Sequence, residues 1–228
     1  MLFTESRIEA IVKSDDFPNW LDTLMRTNYR RAPRRSSISP ELSYGRHAGP
    51  APHTARSAAV AILLFRRGGR WHLPLTERPQ TLARHGGQIS LPGGAIDPGE
   101  SSIAAVLREL HEELGFYESI SVVGRLADCY VFASDFLVSP WILATYEPSI
   151  CWRPHDREVK SVVELPLEAL LAEPYFGRTT IQRGPLVFNA PCLKFADTCI
   201  WGATIAILSE LADVIRALPD DLYPADFP

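Results

Sequence analysis

Gly94-Ala95-Ile96-Asp97-Pro98-Gly99-Glu100-Ser101-Ser102-Ile103-Ala104-Ala105-Val106-Leu107-Arg108-Glu109-Leu110-His111-Glu112-Glu113-Leu114-Gly115-Phe116 is the most informative stretch of this 228-residue chain. Leu91-Pro92-Gly93-Gly94 and Asp97-Pro98-Gly99 supply turns around a loop. Ser101 or Ser102 can cap a helix that follows. Ile103, Val106, Leu107, Leu110 and Leu114 fall on one face of that helix and anchor it to a core. Glu109, Glu112 and Glu113 stand at i, i+3 and i+4, within about 100° of arc on the other face. Three carboxylates this close repel one another and weaken the helix unless something neutralises them. A hard divalent cation that prefers oxygen ligands does so. Arg108 reaches Glu112 one turn on or folds back towards Glu100, and Gly115 lies where helices end in a left-handed turn. The competing reading is a solvated acidic face.

The whole span resembles the Nudix box, G-x5-E-x7-R-E-U-x-E-E-x-G-U with U bulky and apolar. Gly94, Glu100, Arg108, Glu109, Glu112, Glu113 and Gly115 fill the fixed positions, and Leu110 and Phe116 the apolar ones. At about 7% abundance per residue, seven chance matches have a probability of roughly one in 10⁸ per starting point. The resemblance implies an enzyme that splits a diphosphate bond, on a Nudix-type α/β/α sandwich with a mixed β-sheet. It implies Mg²⁺ or Mn²⁺ held mainly by Glu109 and Glu113, with Glu112 and the Gly93 carbonyl assisting. Gly94, Glu100, Arg108 and Gly115 would be structural. The metal would neutralise diphosphate oxygens and acidify an attacking water. A carboxylate must accept that water's proton, and Glu109 or an acid outside the box, Glu158 above all, is the candidate.

Upstream, Leu75 to Gly94 resembles the extra signature of the coenzyme A pyrophosphatase subfamily, L-L-T-x-R-S-x-x-L-R-x-H-x-G-Q-V-x-F-P-G-G. Thr76, Arg78, Leu82, His85, Gly87, Gln88 and Pro92 match in register. Ser134-Asp135-Phe136-Leu137-Val138-Ser139-Pro140, Glu158-Val159 with Pro166-Leu167, and Ile200-Trp201-Gly202-Ala203-Thr204 match its later segments. Pro79 stands where that signature has Ser, Ala83 where it has Arg, Leu91 where it has Phe and Asp135 where it has Gly. Arg78, Arg84, His85 and Gln88 are thus candidate substrate-binding residues. Arginines suit the extra phosphate that coenzyme A carries. Surface solvation, a local salt bridge or a loop-fixing hydrogen bond is the alternative for each. The resulting expectation is hydrolysis of coenzyme A or acyl-CoA to 3′,5′-ADP and (acyl-)4′-phosphopantetheine. The departures at 79 and 83 keep another nucleoside diphosphate derivative, such as ADP-ribose, as the second reading. A non-catalytic nucleotide-binding Nudix domain is the third, disfavoured by the intact glutamate set.

Around this centre, the apolar run 58–65 reads as a buried strand that turns at Gly68-Gly69 into a second strand, Trp71 to Thr76. Further strands are expected near 119–127, 136–146 and 159–165, and a closing helix over 203–217. Ser6 and Glu9 have capping-box spacing for a helix from Arg7 to Lys13, and residues 20–27 suit another. The stretch from Arg26 to Arg56 inclusive holds seven arginines, no lysine and a single acid, Glu41, with prolines at 33, 40, 50 and 52. That stretch reads as irregular, so residues 1–55 form an N-terminal helical and irregular extension and 56–228 the hydrolase domain. The extension is compatible with covering the active site, with mediating a homodimer, or with neither.

Apolar content of 46% suffices for one well-buried core, and a net charge of −4 argues against a nucleic-acid partner. No run reaches the roughly 18 apolar residues of a membrane span. Four acids among the first 16 residues argue against a secretory or organellar leader. The cysteines at 129, 151, 192 and 199 form no C-x-x-C pair, which disfavours a zinc site or disulfide framework and suits a reducing compartment. Cys199 is expected to be buried and inert. A cytoplasmic protein with a small-molecule nucleotide-type substrate is the expectation.

Overall fold

The computed structural model describes residues 4–27, 51–79, 87–147, 149–172, 176–183 and 185–219. The apolar run at 58–65 is the centre of strand β1 (Arg56–Arg67) and does not alternate, because helices cover it from both sides. Ala59, Ala61, Leu63 and Phe65 point to helix α3 (Ser102–Leu114) and meet its Ala105, Val106, Leu110 and Leu114. Ala58, Ile62 and Leu64 point the other way. There they join buried residues from α1 (Glu5–Lys13), α2 (Phe17–Thr27), α4 (Leu167–Leu171) and α5 (Ala203–Arg216). The chain is therefore an α/β/α sandwich, as the box implies.

The central sheet runs β3 (Ile89–Ser90), β2 (Arg70–Glu77), β1, β7 (Phe136–Ala144), β5 (Ser121–Arg125). Off this path, β4 (Gly93–Ala95) pairs with β1, β6 (Cys129–Val131) with β7, and β8 (Ser161–Pro166) with β2. It is mixed: β1 and β7 run parallel from Arg56↔Phe136 to Leu64↔Ala144, whereas β2, β4 and β8 pair antiparallel. Between β1 and β2, Gly68 and Gly69 take φ of 57° and 76°. Two successive left-handed residues make the tight hairpin loop whose twist suits the flanking strands.

The first helix starts earlier than the Ser6 capping box predicts. Thr4 is extended and its side chain accepts from the Arg7 N–H, so Glu5 is already helical. The second helix likewise starts at Phe17 rather than 20, with Pro18 in its first turn, where the missing N–H is harmless. The corner between the two is pinned by Trp71, whose Nε1 donates to Ser14 O at 2.6 Å. Ile11, Val12, Phe17 and Leu21 are completely buried, so this part of the expected extension shares the main core. The arginine-rich segment falls mostly on residues 28–50, outside the described ones.

The strand expected near 119–127 appears as β5, and the short β6 that follows it was not anticipated. A second sheet, β11 (Thr198–Trp201), β10 (Leu186–Phe195) and β9 (Phe176–Arg183), stands where the sequence showed no strand pattern. Strand β9 is largely polar and β10 carries Pro191, a residue that argues against a strand when read in sequence, so neither stands out as one. Cys192, not Cys199, is the fully buried cysteine of this sheet; Cys199 is half-buried, because its strand ends the sheet. Asp135, where the resembling signature has glycine, adopts φ 55°, and its carboxylate accepts from Tyr130 Oη at 2.8 Å. Aspartate tolerates this left-handed geometry better than most residues. No helix among the described residues is long and apolar enough to cross a membrane.

Candidate active site

Helix α3 is fixed at both ends. Ser101 caps it by accepting from the Ala104 N–H, and Gly115 closes it with φ 60° and ψ 32°. A Cβ at Gly115 would also come within 2.7 Å of Arg153 O. With its apolar face locked on β1, the helix turns Glu109 and Glu113 towards β4. Gly93 and Gly94 pair there with Val60 and Ala59. Glu113 is 3% exposed, and its Oε2 accepts from the Gly93 N–H at 3.1 Å. Glu109 is 9% exposed and lies so close to Gly94 that a Cβ there would stand 2.7 Å from its carboxyl carbon. Gly94 is thus needed for space rather than for backbone freedom.

Arg108 ties the loop to the helix. Its Nε and Nη2 donate to the two oxygens of Glu100, and Nη2 also donates to Ala95 O. Its Nη1 donates to Glu109 Oε1 and to Glu112 Oε2, each at 2.9 Å. Both routes anticipated for Arg108, forward to Glu112 and back to Glu100, are made at once. Glu100 is held below the usual carboxylate range by Arg108 first, then by the Asp97 N–H. Arg108 is driven further above its ordinary value, by Glu100 above all.

The two inner carboxylates shift the other way. Burial pushes Glu109 up, Arg108 opposes this, and Glu112 and Glu158 add to it. Burial pushes Glu113 up to about 7, against the Gly93 hydrogen bond, with Glu109 and Glu158 raising it and Arg78 lowering it. Nearby positive charge therefore falls short of what these acids need, although Arg108 touches one of them. This shortage and the all-oxygen donor set fit a hard divalent cation. Among the described residues, however, no three His, Cys, Asp or Glu side chains close around one point. Glu112 is turned outward to Arg108, so a three-carboxylate set needs Glu112 to exchange Arg108 for the ion.

Arg78 and Gln88 face each other at the loop mouth: Arg78 N–H donates to Gln88 O, and Gly87 N–H to Arg78 O. The guanidinium is near enough to Glu113 to lower it, yet its buried Nε has no hydrogen-bond partner among the described residues. Arg84 and His85 lie outside the described residues. Glu158 sits in a turn in which its own N–H and that of Val159 both donate to His155 O. The turn is sewn to the end of α3 by Arg153 N–H to Leu114 O and His155 N–H to Glu113 O. Its carboxylate is exposed, makes no hydrogen bond or ion pair among the described residues, and acts on both Glu109 and Glu113.

The sequence did not single out Trp152, Glu164 or Arg67, which brace the loop carrying Glu158. These partners are 12 to 97 residues apart and leave no local signal. Nor did it reveal that Thr204 Oγ1 donates to Ile89 O at 3.3 Å, tying the start of α5 to the strand before Gly93.

Comparison with known proteins bears on this geometry. A family model described as the NUDIX domain matches residues 55–181. The chain is 36% identical, over 72% of its length and 85% of the relative's, to "Uncharacterized Nudix hydrolase NudL" of Citrobacter koseri. It is 34% identical, with the same coverage, to the protein of that name from an Enterobacter species. Among solved structures, a Nudix hydrolase from M. smegmatis, RenU, covers 80% of this chain and 95% of its own at 18% identity, with a TM-score of 0.47.

Proposed function

We propose, on the premise that this chain belongs to the Nudix family and is a hydrolase of nucleoside diphosphate derivatives, that its substrate is coenzyme A or an acyl-CoA. The products would be 3′,5′-ADP and (acyl-)4′-phosphopantetheine. One observation carries the reading. Buried carboxylates short of positive charge stand beside Arg78, whose buried Nε has no hydrogen-bond partner among the described residues. A diphosphate bridged to a cation answers both needs, because the cation meets the acids and a phosphate oxygen meets the guanidinium. The match of residues 75–94 to the coenzyme A pyrophosphatase signature supports this substrate over others, since it supplies Arg78, His85 and Gln88, and Arg84 stands next to the position where the signature has its second arginine.

In this reading Glu109 and Glu113 hold Mg²⁺ or Mn²⁺, joined by Glu112 and the Gly93 carbonyl. When bound, the ion supplies charge neutralisation for the diphosphate and acidifies the attacking water. Arg78 grips a non-bridging phosphate oxygen and so orients the chain for in-line attack. Glu158, exposed and without a hydrogen bond or ion pair among the described residues, takes the proton of the attacking water. Arg108 keeps Glu109 aimed inward, and Glu112 would leave its ion pair with Arg108 to join the ion.

A second reading, hydrolysis of ADP-ribose or a similar diphosphate, is favoured by Ala83, which removes a cation the signature normally has. Purified protein with Mg²⁺ or Mn²⁺ should convert coenzyme A and acetyl-CoA to products identified by mass. Inertness towards both, with rapid turnover of ADP-ribose, replaces the first reading with the second.

A further inference from the structure

We infer that Trp152 and Glu164, bonded to each other and braced by Arg67, are positioning residues that set the Glu158 loop against Glu109 and Glu113. The inference rests on the role given above to Glu158. That residue lies on the connection from β7 to β8, whose described residues form no helix or strand of their own to hold it. At one end of this connection, Arg67 Nη2 donates to Ile150 O at 3.0 Å. The same guanidinium grips Glu164 of β8 through Nε at 3.0 Å and Nη2 at 2.5 Å. Glu164 in turn accepts from Trp152 Nε1 at 2.7 Å. The Trp152 ring is wedged edge-on against Phe65 at 5.1 Å between centroids and tilted on Phe116 at 5.8 Å. Phe116 is the residue after the left-handed cap of the glutamate helix, so one indole touches β1, β8 and the end of α3.

Beyond Trp152, the backbone bonds of Arg153 and His155 to α3 carry this placement on to Glu158. Lys160 N–H closes the far side on Glu77 O at 2.7 Å. The indole N–H and the Glu164 carboxylate are otherwise costly to bury. Their pairing trades that cost for one defined loop position. Burial alone would raise the Glu164 carboxyl, but the bonds from Arg67 and Trp152 outweigh it and leave it below the usual range. The latch therefore stays charged and closed at neutral pH.

A shift of roughly 1 Å in a reacting group can cost about 100-fold in rate. Trp152→Phe keeps the ring and loses the donor; Glu164→Gln keeps the shape and loses the charge. Each should lower kcat by about 10- to 100-fold with KM little changed. Amide exchange across 149–159 should accelerate in both variants even without metal, a readout independent of turnover. The decisive measurement is the cycle with Glu158→Gln. If the latch acts through Glu158, Glu164→Gln costs nothing more in the Glu158→Gln background. Additive losses, or unchanged exchange in the loop, overturn the inference while leaving the role of Glu158 intact. A Glu158→Gln variant with full kcat overturns both, but not the assignment of Glu109 and Glu113, whose variants are read separately.

Discussion

Replacing Glu113 by Gln should abolish turnover and yet make the metal-free protein more stable at alkaline pH. Glu113 carries a pKa raised from 4.5 to about 7, chiefly by burial. An acid raised in the folded state binds its proton more tightly there than in the unfolded chain. Folding is therefore favoured below the unfolded pKa and loses stability as pH climbs through the folded one. From these values the cost of ionising Glu113 is less than about 1 kcal/mol at pH 5 and on the order of 3 kcal/mol at pH 8. The Gln carbonyl can still accept from the Gly93 N–H, but burying its amide N–H groups costs about 1–2 kcal/mol. The net gain at pH 8 is then about 1–2 kcal/mol, and at pH 5 it vanishes or changes sign.

For a chain of this length, each kcal/mol moves Tm by about 2–4 °C. Thermal unfolding with a chelator present should show the variant several degrees above the parent at pH 8 and level with it or below it at pH 5. Saturating Mg²⁺ should reverse the order at pH 8 by stabilising only the parent. A gap between parent and variant that is the same at both pH values would refute the buried, under-neutralised carboxylate on which the reasoning depends.

Gly94→Ala should leave the fold nearly intact, since the new Cβ meets only the movable end of Glu109, 2.7 Å away at the carboxyl carbon. It should lower kcat/KM by about 100-fold in steady-state assays, because that carboxylate is driven off by roughly 1 Å. Ala196, in the turn between β10 and β11, adopts φ 48°. Ala196→Gly should raise stability in urea titrations by about 0.5–1 kcal/mol, because the left-handed strain of about 1–2 kcal/mol exceeds the entropy that glycine adds to the unfolded chain.

Periodicity and capping in the sequence were enough for the glutamate helix, its start at Ser101 or Ser102 and its Gly115 end, and the structure chose Ser101 as the cap. These signals act within a few residues and do not depend on the rest of the fold. The β1–β2 hairpin was legible for the same reason, through an apolar run and two glycines. The box pattern went further, to the sandwich and the family, because it packs a helix, two turns and their partners into one contiguous segment. The sequence could not show which acids are buried. Glu109, Glu112 and Glu113 look alike along the chain. Only the packing of α3 on β1 and β4 sinks two of them and leaves the third with Arg108. Nor could it show the second, three-stranded sheet, the lack of a partner for Arg78 Nε among the described residues, or the Arg67–Glu164–Trp152 latch. Those depend on residues far apart in sequence brought within hydrogen-bond range, and burial of a charge or loss of its partner exists only once the chain has closed around it.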